Sequence, residues 1–187
     1  MHNNECEYDG DVKKILLGLL TVFVLFILIG FILPSEFKVQ RSISINAPAT
    51  EVYAHVVNLR NWQAWGVWFK RDPNMSIVYS GPESTVGMKS QWISEQEGSG
   101  EMEVIAIEPN KRFIYALYFP EMDMGSTGEF IFTQEQERTN VTWMDYGDVG
   151  SNPVNRYFAL FMDEMIGSDF EVGLENLKLL SESQSMP

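Results

Sequence analysis

PVNRYFALFMDEMIGSDFEVGLENLKLL, residues 153–180, carries apolar side chains at three- and four-residue steps from end to end. Phe158, Phe161, Met162, Met165 and Ile166 open the stripe, and Phe170, Gly173, Leu177 and Leu180 continue it. Arg156, Asp163, Glu171, Glu175 and Lys178 fall on the other faces, the pattern of an α-helix with one buried side. Pro153 suits a first helical turn, and at 1.5 Å per residue the rod is about 40 Å long. A helix of that length with one apolar stripe needs a broad apolar surface to lie on.

The middle of the chain supplies that surface as strands. Period-two patterns mark 75–79, 87–94, 101–108, 111–119, 128–134 and 140–147, separated by Gly81-Pro82, Glu97-Gly98, Pro109-Asn110, Gly125 and Glu137-Arg138. Connections this short make successive strands antiparallel neighbours. Ahead of them FKVQRSISI (37–45) reads as a first strand, and Pro48 introduces a short helix over 49–58. That helix turns Val52, Tyr53, Val56 and Val57 inward and leaves His55 outside the stripe. In NWQAWGVWFKRDP (61–73) Trp62, Trp65 and Trp68 or Phe69 recur at helical spacing. They serve as a plug for the sheet, as an aromatic wall of a pocket, or as both.

Further upstream, Ile15–Leu33 runs nineteen residues without a charge, about 28 Å as a helix, close to the hydrocarbon thickness of a bilayer. It has no polar face and no small-residue cleavage pattern after it, so it reads as an uncleaved single-pass anchor following a polar tail over 1–14. Lys13 and Lys14 touch the segment on one side, whereas Lys38 and Arg41 lie a few residues beyond the other. Proximity favours the N-terminus inside and the domain on the extracytoplasmic side.

The 187 residues carry a net charge of −13, of which residues 1–14 contribute −2. An acidic domain opposes binding to nucleic acid, which needs clustered Lys and Arg. Cys6, the only cysteine, lies in the tail, so no disulfide frames the domain, and no His or Cys cluster offers metal spacing. The two histidines, His2 and His55, make no triad with a nucleophile. No cofactor-binding loop is present, since GSTGEF lacks both the spacing and the Lys of a phosphate cradle.

The run FKVQRSISINAPATEVYAHVVNLRNWQAWGVWFKRDPNMSIVYSG, with GMKSQWIS, VTWMDYG and GSDFEVGLENLK, resembles the polyketide cyclase/dehydrase-like lipid-transport proteins of the START/Bet v 1-like (SRPBCC) superfamily. The resemblance spans about 37–183. Asn61, Trp62, Trp65, Trp68, Asp72, Pro73, Trp92, Trp143, Asp169, Phe170, Glu171, Gly173 and Leu174 match the family pattern, and Gly66-Val67 departs from the Ser-Pro that many relatives carry. It implies an α+β helix-grip fold, a curved antiparallel sheet around the long C-terminal helix with an apolar cavity between them. A lipid-like or other apolar small molecule is the implied partner. The candidate ligand-binding residues are Trp65, Trp92, Tyr115, Phe132, Trp143, Phe161, Met165 and Asp169.

Asp169 is the unusual member, a carboxylate in the sheet-facing sector of the helix, which must be paired, hydrogen-bonded or protonated. It reads as a polar anchor for ligand, as a structural acceptor from a Trp N–H or loop backbone, or as a wetted residue. Asp145, Glu164 and Asp169 and the phenol of Tyr115 are available as acid or base, with no pair distinguished, so catalysis is not indicated. The leading expectation is a membrane-anchored binding protein. Its alternatives are a cyclase/dehydratase-like enzyme and an acidic interaction module with a filled core, and no protein partner is identified.

Overall fold

The computed structural model describes residues 3–184, with side chains over 11–183. α1 (Asn3–Ile32) is followed by β1 (Glu36–Ile45), α2 (Ala49–Val57), a single 3₁₀ turn, α3 (Trp62–Trp65) and α4 (Val67–Arg71). Six more strands come next: β2 (Ser76–Ser80), β3 (Lys89–Ile93), β4 (Gly100–Glu108), β5 (Arg112–Phe119), β6 (Met124–Glu135) and β7 (Arg138–Asp148). α5 (Pro153–Gln184) closes the chain. All seven strands form one antiparallel sheet in the order β1-β7-β6-β5-β4-β3-β2. The helix-grip architecture expected from the sequence is present.

Two elements differ from their sequence reading. β6 begins at Met124 rather than at 128, because Gly125-Ser126-Thr127 pairs with β5 instead of turning. Its glycines are there for close approach: a Cβ on Gly125 would lie 3.0 Å from the Leu117 carbonyl oxygen. At the other end α1 is helical from Asn3, so the expected polar tail continues the helix, with Lys14 and Asp11 paired at 2.9 Å one turn apart. His2 and the side chain of Cys6 lie outside the described residues. The helix over Asp11–Ile32 has a mean hydropathy of 3.1 and is long and apolar enough to cross a membrane.

The core explains why the middle of the chain is so rich in tryptophan. Trp62, Trp65, Trp143, Phe113 and Phe130 form one buried aromatic cluster between α3 and the sheet. Phe170 of α5 stacks on Trp143 with ring centroids 4.0 Å apart and planes 6° from parallel. Gly173, one turn on, has no room for a Cβ beside the same ring. On the other side of α5, Arg41 of β1 crosses Gly167 and reaches Asp163 at 2.7 Å and Glu171 at 2.6 Å. Its guanidinium holds the Asp163 carboxyl below the usual carboxylate range. The second half of α5 is thereby fixed to the sheet by Phe170, Leu174 and Leu177, all buried.

The first half of α5 is different. Phe158, Phe161 and Met165 remain about half exposed, although they continue the same apolar stripe. They lie at the outer edge of that stripe, and this half of the helix also meets α1. Tyr157 stacks on Phe26 at 4.2 Å, and Arg156 Nη1 donates to the carbonyls of Phe31 and Leu33.

Candidate ligand cavity

A cavity of about 640 Å³ lies between α5, α4 and the strands. Its walls are Phe37, Trp62, Trp68, Phe69, Ile77, Trp92, Met102, Leu117, Phe119, Met162, Ile166 and Phe170. Phe158, Met165 and Met122 of the β5–β6 turn line it while staying exposed, so they form part of its rim. Aromatic rings and flexible Met side chains make a lining that adapts to apolar ligands of more than one shape.

Of the eight residues proposed from sequence, Trp92, Tyr115, Met165 and Asp169 line this cavity. Trp65 and Trp143 lie beneath it, fully buried: Trp65 Nε1 donates to the His55 carbonyl at 3.2 Å, and Trp143 Nε1 to Tyr115 Oη at 2.9 Å. His55 is half-buried, where a position outside the apolar stripe was expected to be solvated. Phe132 sits under α2, edge-on to Tyr53 at 5.5 Å, and lines a separate depression with Pro48 and Arg112. Phe161 is 49% exposed and faces away from the cavity. Apolar periodicity marks all four side chains as inward-facing or stripe residues, and it does not distinguish cavity wall from solid core.

Asp169 stands at the rim with three hydrogen bonds. Trp68 Nε1 donates to Oδ2 at 3.1 Å, and Arg71 donates to Oδ1 and Oδ2 at 2.8 Å each. The same guanidinium forks to Glu97 at 2.8 and 2.9 Å. This is the structural bond to a Trp N–H anticipated for Asp169, with Arg71 added as counter-ion. Behind it the buried Asp72 accepts from Ser94 at 2.6 Å and fixes the start of the loop to β2.

The polar end of the cavity is built from β5, β6 and β7. Tyr115, Gly128 and Asp145 face one another across the three strands in register. A Cβ on Gly128 would sit 1.9 Å from the Tyr115 ring, so the glycine is what lets that ring lie across β6. Ser126 Oγ donates to Asp145 Oδ2 at 3.0 Å. Burial pushes the Asp145 carboxyl up to about 7, against a smaller opposing effect of the Ser126 bond. Burial likewise raises the Tyr115 phenol well above its ordinary value. Asp145 was visible in sequence as an available acid, whereas Ser126 was hidden inside a stretch that read as a turn. Among the described residues no group of His, Cys, Asp and Glu is arranged to hold a metal ion.

Residues 36–182 match the family model for polyketide cyclase/dehydrase and lipid transport. No curated protein sequence matches the chain. Among solved structures, the Aha1 dimer protein from Colwellia psychrerythraea is 19% identical with a TM-score of 0.56, over 80% of this chain and 98% of that one. Protein MLL2253 from Mesorhizobium loti is 18% identical with a TM-score of 0.58, over 80% and 99% of the two chains. The di-domain aromatase/cyclase StfQ from the steffimycin biosynthetic pathway is 12% identical with a TM-score of 0.59, over 80% of this chain and 52% of that one. At such identities the likeness is one of fold.

Proposed function

The chain belongs to the polyketide cyclase/dehydrase and lipid transport family, and from that premise we propose that it is a membrane-anchored binding protein for an apolar small molecule. The observation that carries this reading is the cavity itself: about 640 Å³, walled by aromatic and Met side chains, within the size range of small-molecule sites. A core filled by its own side chains, as an interaction module would have, leaves no such space. The anchor is Asp11–Ile32, and with Lys13 and Lys14 held on the cytoplasmic side the domain stands outside. Docking of α1 on α5 puts the exposed rim residues Phe158 and Met165 on the helix that meets the anchor, so the ligand has a short path from bilayer to cavity.

The test is native mass spectrometry of residues 36–187 purified without detergent. A retained apolar species supports the proposal and names its chemical class. A protein that carries nothing and refuses both fluorescent fatty acids and fluorescent fatty alcohols would end it.

A second reading has one observation in its favour. Asp145, with its carboxyl raised to about 7 inside the cavity, is suited to move a proton at neutral pH on an apolar substrate, as a cyclase or dehydratase requires. Turnover of an offered poly-ketone that is lost in Asp145→Asn would favour this reading over simple carriage.

A further inference from the structure

We propose that the closed end of the cavity is a hydroxyl-recognition site, selecting apolar molecules that carry an O–H group. This rests on the ligand-binding reading above and names the class of head group that the cavity takes.

The argument is an inventory of donors and acceptors. Tyr115 and Asp145 both line the cavity, yet they are only 1% and 3% exposed, so water does not satisfy them freely. Tyr115 Oη accepts the indole proton of Trp143, and among the described residues nothing accepts the hydrogen of the Tyr115 hydroxyl itself. Asp145 accepts from Ser126 at Oδ2, and among the described residues nothing donates to Oδ1. One donor and one acceptor are thus left at the end of an otherwise apolar space, one strand apart on either side of Gly128.

A hydroxyl group both donates and accepts, so it completes the pair: its hydrogen goes to Asp145 and its oxygen takes the Tyr115 proton. A carboxylate only accepts, and it would face the Asp145 carboxyl. An ammonium only donates, leaving the Tyr115 proton unmet, and a plain hydrocarbon leaves both groups unmet. The one cation among the described lining residues is Arg71, and it stands at the rim already engaged by Asp169 and Glu97. No positive charge is therefore free to hold an acidic head.

The experiment uses the full chain in phosphatidylcholine nanodiscs, equilibrated with 1-dodecanol, dodecanoate or dodecylamine and read by native mass spectrometry. Dodecanol should bind about tenfold more tightly than the other two, the effect of a well-made buried hydrogen bond. Asp145→Leu should remove that preference while melting no lower than the native chain, since it exchanges a buried acid for an apolar side chain. Tyr115→Phe, which keeps the ring but removes the phenol proton and the acceptor of Trp143 Nε1, should weaken dodecanol several-fold and leave dodecylamine, which makes no use of that proton, unchanged. Equal or tighter binding of dodecanoate overturns the proposal, as does full dodecanol preference in both variants. Failure of the native chain to take up any of the three probes overturns the binding reading itself, and this inference with it.

Discussion

Trp68 donates its indole N–H to Asp169 Oδ2 across 3.1 Å, joining the aromatic helix α4 to the long helix α5 at the lip of the cavity. Arg71, three residues along α4, grips the same carboxylate from the other side and carries Glu97 with it. The rim is thus a small ionic hinge between α4, α5 and the loop after β3. Asp169→Ala should cost about 1–2 kcal/mol in urea unfolding, a figure kept small because Arg71 is 42% exposed and retains Glu97. Ligand affinity should change less than about twofold, because the closed end of the cavity is elsewhere. Loss of binding at unchanged stability would make Asp169 the ligand anchor instead.

Gly128 should be among the least replaceable residues of the sheet. Its Cβ would overlap the Tyr115 ring at 1.9 Å, and that ring is held from below by Trp143. Gly128→Ala should destabilise the fold by about 3 kcal/mol, the upper end of the usual cost of overpacking. Because the clash is with one side chain, adding Tyr115→Ala should recover much of the loss, giving a strongly non-additive cycle. Additive penalties would place the cause in the β6 backbone.

Much of this was legible in the sequence, for identifiable reasons. The stripe of α5 and the alternation of the strands are consequences of helix and strand geometry, so they survive reading without a structure. The cavity is not periodic. Phe161 and Phe170 belong to opposite edges of a wide apolar stripe, half a turn apart at 100° per residue, so one faces outward while the other stacks on Trp143. Ser126 and the start of β6 were obscured by glycines, which signal a turn but here make room for Tyr115 and for the Leu117 carbonyl. Asp145 and Tyr115 were seen separately as acid and phenol, and only the register through Gly128 brings them together.

The Asp145 carboxyl gives the stability of the empty protein a defined pH dependence. Its folded value of about 7 lies above its ordinary value of 3.8, because burial disfavours the charged form. A raised folded value means that the contribution is fully present below about pH 4 and is lost as pH rises towards about 7, after which it is flat. At 1.36 kcal/mol per unit the whole loss is about 4 kcal/mol at most. Asp148 and Asp163, whose carboxyls are held low, act in the opposite sense, so the difference between native chain and Asp145→Asn is the quantity to measure. That difference should shift steadily against the native chain between about pH 4 and about pH 7 in chemical denaturation. A flat difference would mean that Asp145 ionises as freely folded as unfolded.

With α1 as the proposed membrane anchor, its contact with α5 should set how the domain stands on a bilayer. Tyr157 Oη donates to the Phe26 carbonyl at 2.6 Å with its ring stacked on Phe26, and Gly30 has no room for a Cβ against Pro153. Phe26 lies six residues before the end of α1 at Ile32, which is about 9 Å along the helix. If α1 spans the membrane, Tyr157 is carried to the depth where aromatic residues border the acyl chains, and the exposed Leu160, Phe161 and Met165 continue from it along α5. A fluorescent NBD label at Phe161→Cys in a Cys6→Ser background should therefore be quenched by doxyl-labelled lipid in nanodiscs. The same label at Glu175→Cys, on an exposed face of the second half of α5, should not be quenched. Combining Tyr157→Ala with Gly30→Leu breaks the contact and should reduce the quenching at 161 by at least about half, as α5 is freed to swing from the surface. Equal quenching at both sites, or quenching at 161 that ignores the double substitution, would show that α1 tethers the domain without orienting it.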